Sequence, residues 1–156
     1  MHALTEKLPH TSQSFSMKQS GYEISTEFLA GGNLWKRYRY TMYLNFQALP
    51  SESIDASRLR HLLGLTASQI ADQSAGIDIP IRIQISQVTN GIEVIFYDKT
   101  FTKLYNLGWG EHEFDKGIDS IFMDPGKYTV RVKLLDAVPE LANVPVTFEI
   151  GLPGKH

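Results

Sequence analysis

The chain has 156 residues, with 15 Lys and Arg against 17 Asp and Glu, 42% hydrophobic residues and no cysteine. That length suits one domain, which buries roughly 70% of its unfolded surface and needs no metal or disulfide staple. The missing cysteine excludes disulfides, thiol nucleophiles and zinc–thiolate or iron–sulfur ligation, and a net charge of −2 gives no global field toward nucleic acid or an anionic membrane surface.

Residues 1–20 read as a polar lead-in with Pro9, His10 and a Ser/Thr/Gln-rich run, lacking the apolar block of a secretory signal. Residues 21–152 read as a single β-sandwich domain. Tyr22, Ile24, Thr26 and Phe28 alternate with Glu23, Ser25 and Glu27, which predicts a first strand with one buried face. Tyr38, Tyr40, Met42, Leu44 and Phe46 predict a second, alternating with Arg39, Thr41, Tyr43 and Asn45. A helical excursion is expected over 55–75. Asp55 caps it, Leu59, Leu62 and Leu63 form one stripe, Gly64 stops it, and Thr66 with Gln69 is a capping-box pair opening a second short turn.

Five alternate isoleucines, Ile77 to Ile85, mark the third strand. Asn90-Gly91 suits a two-residue type I′ turn, and Ile92, Val94 and Phe96 are then expected on the buried face of the fourth strand. The implied register sets Ile85 opposite Phe96 and Gln87 opposite Val94. Tyr128, Val130, Val132 and Leu134 predict the fifth strand, and Val146, Phe148 and Ile150 the sixth. Six or more short strands with little helix between them predict an all-β antiparallel sandwich, immunoglobulin-like or C2-like. Asp124-Pro125-Gly126-Lys127-Tyr128-Thr129-Val130 resembles the tyrosine corner at the penultimate strand of immunoglobulin-like sandwiches.

Chemistry is sparsely marked. Tyr105, Trp109, Glu111, His112, Glu113 and Phe114 fall on a glycine-rich connection between two strands. They read as a plug over the end of the sandwich or as exposed anchors for a partner. Glu111, His112 and Glu113 are metal-ligand types, but neighbours in a strand point to opposite faces, so no metal or cofactor is assigned. Asp98, Asp115, Asp119 and Asp124 are placed in connecting segments, and their spacing fits no calcium loop. His61 reads as a partly exposed helix residue and His156 as the chain end. Trp35, Lys36, Arg37, Tyr38, Arg39, Tyr40 and Tyr43 interleave bases and aromatics, but alternation puts Tyr38 and Tyr40 on the face opposite Arg39 and Tyr43. Nucleic-acid binding is not expected. No nucleophile elbow, phosphate loop or zincin motif occurs, so the expectation is a non-enzyme.

The segments from Trp35 to Phe46, Pro125 to Val130 and Pro139 to Val146 together resemble a family of small uncharacterised bacterial lipoproteins, a domain of unknown function. Such lipoproteins commonly reside in the Gram-negative periplasm, and some act as immunity proteins beside toxic effectors of contact-dependent (type VI) secretion. The resemblance implies a periplasmic protein held at the inner or outer membrane by an N-terminal lipid anchor absent from this chain; the literal reading of the sequence is cytoplasmic. It also implies a protein partner, a secreted effector whose active site is blocked. Anchors for that partner are expected at Tyr105, Trp109, Glu111 and His112, with Arg37 and Arg39 as a second patch. The alternatives are a glycan- or lipid-binding module using Trp109 and Tyr105 as a stacking platform, a metal-assisted hydrolase using Glu111, His112 and nearby aspartates, and an envelope scaffold subunit.

Overall fold

A computed structural model describes residues 10–32, 37–48, 55–72 and 75–152. Trp35, Lys36 and His156 lie outside the described residues. Nine strands are described: β1 (His10–Phe15), β2 (Glu23–Ala30), β3 (Tyr38–Gln47), β4 (Ile81–Thr89), β5 (Ile92–Phe101), β6 (Tyr105–Trp109), β7 (Glu113–Met123), β8 (Gly126–Leu134) and β9 (Val146–Gly151). One helix, α1 (Ala56–Leu62), lies between β3 and β4. The strands form two antiparallel sheets, one ordered β1-β9-β3-β7-β6 and the other β2-β8-β4-β5. This is an all-β sandwich.

Alternation explains most of it. Tyr40, Met42, Leu44 and Phe46 of β3, Ile81, Ile83 and Ile85 of β4, Val130, Val132 and Leu134 of β8, and Phe148 and Ile150 of β9 are buried between the sheets. Each such side chain contributes about 1.5–3 kcal/mol by leaving water. At the tyrosine corner the Tyr128 hydroxyl donates to the Asp124 carbonyl at 2.7 Å, tying the β7–β8 turn to the strand that follows.

The helical excursion matches its signals. The Asp55 carboxylate accepts from the Arg58 amide at 2.8 Å, and the Gln69 side-chain Oε1 accepts from the Thr66 hydroxyl and amide at 2.7 and 3.2 Å. Gly64, at φ +77°, marks the end of the helix and abuts the backbone of Ala75, where a Cβ would lie 2.5 Å from the Ala75 carbonyl. A side chain at Gly64 is therefore excluded twice, by dihedral and by contact.

Four expectations need correction. The polar lead-in contains β1, which pairs with β9 from His10↔Gly151 to Phe15↔Val146. Being an edge strand, it turns His10, Ser12 and Ser14 to solvent and buries Phe15, so its sequence carries almost no apolar alternation. The connection expected around 105–114 is instead the hairpin β6–β7, closed by the Gly110 amide donating to the Glu113 carbonyl at 2.7 Å. Charged residues on β7 mask its period. Asp98, Asp115 and Asp119 accordingly lie within strands; of the four aspartates only Asp124 is in a turn.

The fourth correction concerns β5. Asn90 and Gly91 both take positive φ, +54° and +78°, as the turn requires, and Gln87 pairs with Val94 as expected. A bulge then intervenes between Ile85 and Ser86, so that Ile85 faces Tyr97 rather than Phe96. Tyr97 is buried and Phe96 is half-exposed. In the other sheet, β6 pairs with β7 only from Tyr105↔Gly117 to Trp109↔Phe114. Ile92, Val94, Ile95 and Phe96 remain largely exposed.

Candidate functional site

The sandwich places the two expected patches at opposite ends. Arg37 precedes β3, and Gln47, at its other end, is followed by Ala48, whose amide donates to the His112 carbonyl at 2.9 Å. Ten extended residues separate them by about 30 Å. They do not form one surface.

At the first end, Phe122 sits across from Arg39 in the β3–β7 pairing. Arg37 reaches over the Phe122 ring, 5.7 Å from its centroid, and its Nε lies 3.7 Å from Asp124 Oδ1. Phe96, half-exposed beside the bulge, packs at a tilt on the buried Tyr128 with ring centroids 5.4 Å apart. Arg37, Gln87, Val94, Phe96, Phe122 and Tyr128 thereby line a cleft of about 410 Å³. Val94, Phe96 and Phe122 are 50%, 49% and 56% exposed, a cost in apolar surface that the fold itself does not require. On the other side of the hairpin, the Ser86 hydroxyl and Arg131 Nη1 hold Glu93 Oε2 at 2.6 and 2.7 Å, and these bonds, that of Ser86 first, keep the Glu93 carboxyl below its ordinary range. The hairpin is thus fixed on its polar side and bare on its apolar side.

At the second end, Glu111 and His112 form the exposed tip of the β6–β7 turn, and Trp109 is 52% exposed beside it. The plug reading therefore fails for Trp109 and holds for Phe114, which is fully buried. Tyr105 is tied down: its ring lies on Gly117, where a Cβ would come within 2.2 Å of it. Tyr105 and Trp109 thus do not make one stacking platform. Among the described residues no group of three or more His, Asp or Glu is arranged to hold a metal ion. His61 is exposed on α1.

Sequence reasoning missed two features. Lys116 is buried on β7, where its ammonium donates to the Leu63 carbonyl at the end of α1 at 3.0 Å and to Asn106 Oδ1 at 2.6 Å. Burial, with a smaller contribution from the Lys103 charge, pulls its pKa down to about 8. The Asn106 amide in turn donates to the Ile70 carbonyl at 3.3 Å, so the pair fastens the helical excursion to the β6–β7 hairpin. Asp119 is the second: it accepts from the Tyr97 hydroxyl at 2.6 Å between the sheets, and burial first, then this bond, raises the Tyr97 pKa. Both residues sit in β7, whose charged composition hid the strand.

The profile of a domain of unknown function, DUF5625, matches residues 12–152. No curated protein matches. Among solved structures, a crystal structure of a protein from Sulfurospirillum deleyianum is similar, with a TM-score of 0.74 at 19% identity, covering 94% of this chain and 98% of that one. At that identity the likeness is one of fold. Murine APRIL aligns over 94% of this chain and 100% of its own, at 10% identity and a TM-score of 0.25, too low to carry an argument.

Proposed function

Since the chain belongs to the DUF5625 family, we propose, from its geometry, that it is a non-catalytic protein-binding module, most concretely a periplasmic immunity protein that occludes a secreted antibacterial effector. The observation that carries this reading is the cleft at the Asn90–Gly91 end, where Val94, Phe96 and Phe122 stay exposed beside Arg37 and Arg39. Aromatic and arginine side chains on a pre-organised frame are the usual makings of an interface hot spot. The frame is rigid because β4 and β5 pair along their length and Tyr128 pins the adjoining turn.

Co-purification with the product of the neighbouring gene tests the reading. Binding that protects cells from that product, and that is lost in the Phe96→Asp and Phe122→Asp variants, is the expected result. No binding and no protection would sink it.

A further inference from the structure

The outward face of the five-stranded sheet carries a second, chemically different hollow. The pairings of β1, β9, β3 and β7 align its residues in rows: Ser12, Glu149, Tyr43 and Gly117 in one, Ser14, Thr147, Asn45 and Asp115 in the next. Gly108 on β6 continues the second row without a side chain. The result is a groove of about 700 Å³ that also takes in His10, Gln47, Trp109 and Glu113. Through Asn45, Gln47 and Thr147 it runs on into a neighbouring hollow of about 710 Å³, reaching Ser16, Lys18 and Asn143.

A sheet face that merely meets solvent exposes its outward residues. Here Tyr43 is 6% and Asp115 8% exposed, so the floor is sunken. The polar groups are also fixed. Glu149 is held by the Ser12 and Thr147 hydroxyls at 2.9 and 2.6 Å and by His10 Nε2 at 2.7 Å. Asn45 donates to Asp115 at 2.7 Å and to Glu113 at 3.4 Å, while Gln47 donates to Asn45 at 3.3 Å. The Tyr43 hydroxyl stays protonated well past its ordinary range, because of burial first and then of Glu149, Asp115 and Glu113. Hydroxyl, amide and carboxylate groups are thus interleaved on one concave surface.

We infer that this groove binds an oligosaccharide that carries no anionic groups. Sugar hydroxyls both donate and accept, and the groove offers amide donors and carboxylate acceptors side by side. No aliphatic side chain lines the groove, whereas protein interfaces have an apolar centre. Three carboxylates repel uronic-acid glycans and nucleic acid. The inference is independent of the protein-binding cleft, which lies at the other end of β3.

The test is NMR titration of the whole chain with glucosamine and N-acetylglucosamine oligomers, a galacturonate oligomer as anionic control, and oligolysine as the competing kind of cationic occupant. At least one of the first two sugars should give saturable shifts at Ser12, Asn45, Trp109 and Asp115, with the galacturonate silent. Glu149→Gln and Asn45→Ala should each weaken binding about tenfold, the scale of one lost hydrogen bond to a charged group. Folding of each variant is read from the same spectra. If no sugar shifts these signals, if oligolysine alone does, or if neither variant changes the affinity, the inference fails.

Discussion

The hairpins β4–β5 and β6–β7 turn at opposite ends of the sandwich through connections of two and three residues, yet they handle apolar residues in opposite ways. In β6–β7 the inward Phe114 is fully buried, and the tip carries Glu111 and His112. In β4–β5 the tip leaves Val88, Ile92, Val94, Ile95 and Phe96 exposed, although their alternation suits a core strand. The difference lies in what faces each hairpin. The β6–β7 hairpin is fastened to α1 and its excursion by Lys116 and Asn106, whereas the β4–β5 tip meets Phe122 and Tyr128 across a half-open cleft. Apolar residues that the fold leaves uncovered are available to something else.

The largest expected effect separates the two hairpins directly. Phe114→Ala removes a fully buried ring and should cost about 3–5 kcal/mol in urea unfolding. Phe96→Ser, at a half-exposed position, should change stability by about 1 kcal/mol or less. Similar losses from both would mean that the β5 end is ordinary core.

Lys116 sharpens the comparison through pH. Its folded pKa, about 8, lies below its ordinary 10.5, so between these values the unfolded chain holds a proton that the folded chain lacks. Stability from this group therefore rises with pH across that window, by about 2 kcal/mol from about pH 8 to about pH 9.5. In Lys116→Met that rise should disappear, as read from unfolding midpoints in matched buffers; an unchanged slope would show that the ammonium is not the source. The smallest effect is that of Tyr128→Phe, which removes the bond to Asp124 and should cost about 1 kcal/mol while leaving the β6–β7 hairpin untouched.

Much of this architecture was legible in the residues. Ile81, Ile83 and Ile85, the β8 alternation, the Asp55 cap and the Asn90-Gly91 turn each encode their structure locally, because periodicity and φ preference act over a few residues. What was not legible depends on distant partners. The bulges at Met42/Tyr43, Ile85/Ser86 and Asn106/Gly108 are properties of paired strands. β1 became a strand only because β9 offered an edge. The sequence singled out Arg37, Arg39 and Trp109, but placed Phe96 and Val94 in the core, since no local signal tells a residue whether the opposite sheet reaches it. The polar groove is the extreme case: Ser12, Tyr43, Asn45, Asp115 and Glu149 come from four strands and meet only through register.

The central claim is that the uncovered end of β4–β5 is where a protein partner seats. Hydrogen exchange of the full chain, alone and with the product of the neighbouring gene, tests this most directly. The account predicts slowed exchange over residues 88–96 and 120–124 with residues 105–113 unchanged; protection confined to 105–113, or none at either end, would contradict it.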